Sequence, residues 1–111
     1  MTDSIEWAVG IFEGEGSIDT KVERRPNDRI YRYPRLQLSM TDEDTVRRFV
    51  DVVGGTVRGP YPNGEGHKQV WRWVVSHRSA EAVMQRFLPL LGERRTAKWA
   101  EVMGIRGRVA A

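Results

Sequence analysis

Two glutamates stand where a carboxylate is costly. Glu13 and Glu15 alternate with glycines in Phe12-Glu13-Gly14-Glu15-Gly16. The preceding residues predict a helix, because Asp3 lies three residues before Glu6, the spacing at which an N-cap and its N3 carboxylate serve each other. Gly14 and Gly16 then release the backbone at the far end. Acids at a helix C-terminus oppose its dipole, so a task is a better explanation for them than plain exposure. A carboxylate there is a hard oxygen donor of the kind divalent cations take. Other chemistries find less support. His67 and His77 have no carboxylate at zinc-site spacing. Gly14-Glu15-Gly16 precedes a strand instead of opening a helix, which excludes a phosphate-binding loop. Ser76-His77 and Ser79 read as a strand end and a helix cap, not as a nucleophile with its base.

The helix that carries these acids has two apolar faces. At about 100° per residue, Ile5, Ala8, Val9 and Phe12 share one side, and Trp7, Gly10, Ile11 and Gly14 share the other. A surface helix needs only one such stripe, so burial from both sides is expected. Gly10 and Gly14 stack in line four residues apart, an arrangement that lets another backbone come close. Two arrangements satisfy it: a second copy of the helix, which would set two Gly-Glu-Gly ends side by side, or a neighbouring strand of the same domain.

The chain has 111 residues, 40% of them hydrophobic, with four tryptophans and no cysteine. That is enough for one domain with a modest core and argues against disorder. Disulfides and thiolate metal sites are excluded, and a reducing compartment fits. The acidic start, followed by no long apolar run, predicts neither a signal peptide nor a membrane span, hence a protein that is not secreted. Net charge is +3 and the pI about 9.7, a lean toward anionic partners.

Residues 17–22 alternate, with Ile18, Thr20 and Val22 on one side and Ser17, Asp19 and Lys21 on the other. A turn-rich basic connection follows over 23–29. Residues 35–40 alternate again, Leu36, Leu38 and Met40 inward and Arg35, Gln37 and Ser39 outward, which completes a long hairpin with Tyr31 and Tyr33 on its return. Thr41 is the expected cap of a helix with Val46, Phe49, Val50 and Val53 on its apolar stripe, closed by Gly54-Gly55. A second hairpin is expected from a strand over 56–59, a loop over 60–66 and a strand over 68–76 with Trp71, Trp73 and Val75 inward. Ser79 then caps a helix carrying Val83, Phe87, Leu90 and Leu91. Thr96, Trp99, Ala100 and Met103 stripe a last helix, and residues 105–111 form a frayed basic tail.

This order predicts an α+β domain over residues 1–104: a four-stranded antiparallel sheet with helices packed on one face. The other face must meet solvent or a partner. Lys21, Arg24, Arg25, Arg29, Arg32, Arg35, Gln37, Arg58, Lys68, Gln69 and Arg72 could project there. Arginine suits guanine and glutamine suits adenine in the major groove, and the other cations suit phosphates. An ordinary solvated sheet face explains alternating charges as well, and Asp19 and Glu23 on that face favour it.

The string Ala8-Val9-Gly10-Ile11-Phe12-Glu13-Gly14-Glu15-Gly16 with Ser17-Ile18 resembles the signature of the LAGLIDADG homing endonucleases. Departures are Ala8 and Val9 at the motif's opening positions and glutamate at both acidic ones. The αββαββα order over residues 5–103 is also what the resemblance implies for one such unit. A single motif implies a homodimer whose motif helices, through Trp7, Gly10, Ile11 and Gly14, form the subunit interface. The open sheet face would then lie along a long, pseudo-palindromic double-stranded DNA site. The resemblance makes Glu15 the metal ligand, with the Gly14 carbonyl beside it, for Mg²⁺ (or Mn²⁺ in its place) in phosphodiester hydrolysis, and makes Glu13 structural. It places a basic residue between the last two helices, where Arg94 stands in place of the lysine many relatives carry. Arg94 either stabilises phosphate charge or is a solvent-facing helix-start residue. Met40 and Thr41 stand where relatives present a polar group. The implied activity is site-specific DNA cleavage serving intron or intein mobility, in a bacterial, phage or organellar cytoplasm or nucleoid. The alternative is a non-cleaving DNA-binding protein or RNA-splicing cofactor (maturase) on the same fold.

Overall fold

The computed structural model describes residues 3–109. Its elements run α1 (Ile5–Glu15), β1 (Gly16–Arg25), β2 (Arg29–Met40), α2 (Glu43–Val53), β3 (Arg58–Tyr61), β4 (Val70–Ser76), α3 (His77–Phe87), α4 (Glu93–Gly104) and β5 (Gly107–Arg108). The fold is α+β, with the strands in the order β1-β2-β4-β3 and β5 attached to β2. The β2–β5 and β3–β4 pairs are antiparallel. Contacts group the chain into two compact units, Met1–Ser17 with Gln37–Val74 and Ile18–Leu36 with Val75–Ala111. The divisions fall inside strands, with no linker at any of them. No helix among the described residues is long and apolar enough to cross a membrane.

In the first unit, α1 packs on α2 around Trp73, which is fully buried. The rings of Phe12 and Phe49 meet it edge-on at 6.5 and 4.9 Å, the offset geometry aromatic quadrupoles prefer. The Trp73 indole N–H donates to the Gly54 carbonyl at 2.9 Å, which satisfies the one polar atom this ring brings inside. Ala8, Val9 and Phe12 are buried, as the first apolar face of α1 requires. The second face is not. Trp7 and Ile11 are half-buried and Gly10 and Gly14 exposed, and a Cβ added at either glycine meets nothing within 4 Å. No strand of the described residues comes against these glycines, so of the two arrangements the neighbouring strand is not the one found within this chain.

The cap of α1 is Ser4, not Asp3. The Ser4 hydroxyl accepts the Trp7 N–H at 3.1 Å, while the Asp3 carboxylate is drawn to Arg48 by two charge-assisted hydrogen bonds of 2.8 and 2.9 Å. Those bonds hold Asp3 below the usual carboxylate range. At the other end the helical ladder closes with the Gly16 N–H donating to the Phe12 carbonyl. Gly16 is needed for room, not for an unusual backbone: its φ is −84°, but a Cβ would lie 2.3 Å from the Phe12 ring. Asp42, not Thr41, caps α2, accepting from the Thr45 amide and hydroxyl at 3.2 and 2.9 Å. Val46, Phe49 and Val53 are buried there as expected, and Val50 half-buried. β3 starts two residues later than predicted and β4 begins at Val70. Trp73 is fully buried, Trp71 and Val75 half-buried.

In the second unit, β1 continues to Arg25 and β2 starts at Arg29, so the hairpin is longer than its apolar alternation. Ile18, Leu36 and Leu38 are buried, the last of these belonging to the first unit. Val22 is 60% exposed instead of inward, because the hairpin outruns the core that would cover it. Its tip is the turn Pro26–Asp28, with Asn27 and Asp28 at positive φ, a region these two residue types tolerate. α3 starts at His77 with Ser76 at the cap position, and Ser79 lies inside its first turn. Val83 and Phe87 are buried together with Ala80 and Met84, whereas Leu90 is 43% exposed in the turn Leu88–Leu90. The stripe of α4 is Trp99 with Val102; Thr96 and Ala100 are exposed and Met103 half-buried. The tail is not frayed over its described part. Gly107 pairs with Arg32 and Arg108 with Tyr31, and the Val109 N–H donates to the Ile30 carbonyl at 2.7 Å. Ala110 and Ala111 lie outside the described residues.

Candidate catalytic end and nucleic-acid face

Glu15 is the last residue of α1 and is exposed. It makes no hydrogen bond or ion pair among the described residues, so its carboxylate keeps both oxygens available. Glu13, half-buried on the helix flank, is engaged within the protein. The Gly14 carbonyl lies beyond the last intrahelical bond, which ends at the Phe12 carbonyl. The two acids of the motif therefore differ: one is tied into the chain, the other is presented. No cluster of three or more His, Asp or Glu among the described residues could hold a metal by itself. This donor set still fits magnesium, which is held by one or two carboxylates together with substrate phosphate oxygens. It requires that the remaining ligands come from outside this chain.

The cations proposed from the sequence fall into two kinds. On the β1–β2 hairpin, alternation puts Asp19, Lys21, Glu23 and Arg25 on one face of β1, and Tyr31, Tyr33, Arg35 and Gln37 on one face of β2. Contacts tie these two faces together. Arg35 Nε and Nη2 donate to the two Asp19 carboxylate oxygens, both at 2.8 Å. Asp19 thereby raises the Arg35 pKa further above its ordinary range. The Arg25 guanidinium lies 4.0 Å over the Tyr31 ring, hydrogen-bonds the Tyr33 hydroxyl and pairs with Glu23 at 3.6 Å. Tyr31 and Tyr33 stack at 6.1 Å, and Tyr33 meets the His77 ring at 3.9 Å, whose Nε2 is 3.4 Å from Glu23. Arg24 is exposed and, among the described residues, pairs with Asp28.

Lys21, Arg29, Arg32, Arg58 and Lys68 make no ion pair among the described residues. Arg32 differs from the rest: alternation along β2 gives it the parity of the buried Pro34 and Leu36, beside β5. Arg58 sits directly opposite Arg72 in the β3–β4 ladder, and Arg72 lies 5.0 Å over the Tyr61 ring. Like charges placed opposite each other cost stability, so this pair is better explained by an anionic partner than by folding. Arg94 is exposed in the first turn of α4. Gln69 is exposed in the loop before β4, and Gln37 is half-buried and engaged.

Sequence reasoning missed the Asp19–Arg35 pair and the Arg25–Tyr31–Tyr33–His77 stack. The signal for the first was there, since the two residues occupy the same face of neighbouring strands in opposite charge. The stack also borders a groove of about 800 Å³ in the second unit, lined by Arg25, Tyr33, His77, Arg78, Glu81 and Arg106 among others.

No protein-family model and no curated sequence relative matches this chain. Solved structures do. The homing endonuclease I-TnaI superposes with a TM-score of 0.71 at 18% identity, over 94% of this chain and 71% of that one. I-CvuI, in complex with DNA, gives 0.68 at 18% identity, over 91% of this chain and 64% of its own length. The LAGLIDADG meganuclease I-CpaMI, bound to uncleaved DNA, gives 0.70 at 13% identity, over 93% of this chain and 35% of that one. The chain thus spans just under two thirds of I-CvuI and about one third of I-CpaMI. Its fold is that of the solved LAGLIDADG homing endonucleases.

Proposed function

We propose that this chain is a site-specific, double-strand DNA endonuclease that acts as a homodimer on a long, pseudo-palindromic site by metal-dependent phosphodiester hydrolysis. The observation that carries the reading is Glu15: exposed, unpaired among the described residues, and set at the end of a helix whose glycine face is open, in a fold shared with endonucleases seen on DNA. Pairing two such helices through Trp7, Gly10, Ile11 and Gly14 would cover the open face. It would also bring two Glu15 carboxylates to one place, one for each strand to be cut.

In that assembly Glu15, with the Gly14 carbonyl, would hold Mg²⁺ or Mn²⁺. When bound, such an ion supplies Lewis acidity at the phosphate, lowers the pKa of water and stabilises the leaving oxygen. The chain's own residues supply the rest. Glu13 fixes the helix end. Lys21, Arg24, Arg29, Arg58 and Lys68 neutralise backbone phosphates, and Arg25, Arg35, Gln37 and Arg72 present planar donors to base edges. Arg24 and Arg32, with the parity of the core face on their strands, are the weakest members of this set. Arg94 would balance charge on the phosphate but is too strong an acid to shuttle protons near neutral pH. The setting is a cytoplasm or nucleoid of bacterial, phage or organellar type, with a role in intron or intein mobility.

A second reading keeps DNA binding and drops cleavage, as a binding protein or maturase. It is favoured by Arg94 in place of lysine and by Met40 and Thr41 where a polar group is expected. Incubating the protein with a randomised duplex library and Mg²⁺, then sequencing the new ends, separates the two. Ends clustered at one motif support the nuclease. Enrichment by binding with no new ends in Mg²⁺ or Mn²⁺ supports the second reading. Neither cleavage nor binding would remove both.

A further inference from the structure

An acid on a face meant for DNA demands an explanation. Asp19 is half-buried on the same hairpin face as Lys21, Arg25 and Arg35, where its charge repels phosphate. Both of its carboxylate oxygens accept from Arg35, at 2.8 Å each, with the two side chains 38% and 33% exposed. Its carboxylate is thus committed first to a partner within the chain. What it does there follows from which edge of the guanidinium it occupies. The guanidinium has five N–H donors. Asp19 takes the Nε edge and one Nη2 hydrogen. Both Nη1 hydrogens and the second Nη2 hydrogen remain, and they form the terminal fork that can bridge O6 and N7 of guanine.

We propose that Asp19 is a specificity-determining positioning residue: it clamps Arg35 by the Nε edge so that the terminal fork is presented, preorganised, to one base pair in each half-site. This rests on the DNA-binding reading above and deepens it. Arg29 and Lys21 on the same hairpin have no such partner among the described residues, and a flexible cation suits a phosphate, which any approach direction can satisfy. A base edge tolerates only one plane. Holding the planar fork before DNA arrives removes the rotamer ordering that a free arginine pays on binding. The cost is one negative charge per half-site, which lowers affinity for all DNA alike. Asp19 therefore exchanges general affinity for discrimination.

The two effects have opposite signs in an Asp19→Asn variant, and that makes the inference testable. Wild type, Asp19→Asn and Arg35→Ala are each selected on a randomised duplex library in Ca²⁺, and binding to the selected site and to unrelated duplex is then measured across salt. The Arg35→Ala profile identifies the base pair that Arg35 reads. Asp19→Asn should weaken preference at that same pair by about three- to tenfold. It should leave the other positions unchanged and bind unrelated DNA more tightly than wild type. Asp19→Glu, which keeps the carboxylate, should recover part of the preference, and Asp19→Asn on an Arg35→Ala background should change no base preference further. A thermal melt of each variant identifies unfolding. If Asp19→Asn weakens all sites equally, or alters a different base pair, the positioning role is wrong. If Asp19→Asn leaves the whole profile intact while wild type binds selectively, it is also wrong, and the DNA-binding reading stands. Wild type that selects no DNA overturns both.

Discussion

The sharpest contrast at the residue scale is between two glutamates two positions apart. Glu15 is exposed and unengaged among the described residues, Glu13 half-buried and engaged, so removing each charge should have a different consequence. Glu15→Gln keeps size and hydrogen bonding. It should lower cleavage by on the order of 10²–10³-fold, the scale of losing one transition-state charge stabiliser. DNA binding should survive or tighten, because a negative charge no longer faces phosphates. Glu13→Gln should change the melting temperature more than the cleavage rate. Nicking and gel-shift assays on the selected site, in Mg²⁺ and in Ca²⁺, compare the two; wild-type cleavage by Glu15→Gln would remove the proposed mechanism. Asp42 gives a prediction in pH. Hydrogen bonds from Thr45 lower its pKa in the folded chain, so its stabilisation is complete above the ordinary aspartate value of about 3.9 and is lost as pH falls through the lower folded value. Asp42→Ala should therefore melt below wild type at neutral pH. The gap should persist to about pH 4 and close only under stronger acid, as followed by circular dichroism.

At the scale of elements, α1 carries glycines that do opposite jobs. Gly16 is buried, and any side chain there runs into Phe12, whose ring is backed by Trp73. Gly16→Ala should cost about 1–3 kcal/mol through overpacking, read from denaturant melts. Gly10 faces open space, and leucine is a better helix former than glycine by about 0.5–1 kcal/mol. Gly10→Leu should thus leave the protomer folded while preventing two helices from closing together. Sedimentation velocity at micromolar concentration should show a dimer for wild type and a folded monomer for the variant. A wild-type monomer would count against the pairing, and a variant dimer would mean that the contact lies elsewhere.

For the whole molecule the relevant quantity is charge and where it is fixed. A net charge of +3 is small, but several hairpin and β3 cations have no acidic partner among the described residues, and Arg58 and Arg72 face each other across a ladder. If these meet phosphates, the logarithm of the affinity should fall linearly with that of salt concentration, with a slope near −0.9 per phosphate neutralised. Lys21→Ala should reduce the slope by about 1 per chain and leave base preference alone. Arg35→Ala should instead cost ~1–3 kcal/mol at particular base pairs. Salt-independent binding would contradict the interface.

The features legible in the sequence are those set by local periodicity. Leu36 and Leu38 inward against Arg35 and Gln37 outward follow from the two-residue repeat of a strand, and Val46, Phe49 and Val53 from the helical repeat. The Gly-Glu-Gly end of α1 and the element order were readable for the same reason. Tertiary structure decided which partner wins where several compete. Asp3 has the spacing of a cap, but Arg48, 45 residues along the chain, offers two charged hydrogen bonds, and the cap passes to Ser4. Val22 has the parity of a core residue, yet the hairpin outruns the core there. Gly107-Arg108 is too short to show any period and becomes a strand only because β2 offers it backbone groups to pair with. Asp19 looked like a solvated acid until the neighbouring strand brought Arg35 against it. Each of these is settled by which residues far apart in sequence do or do not meet, and no local repeat encodes that.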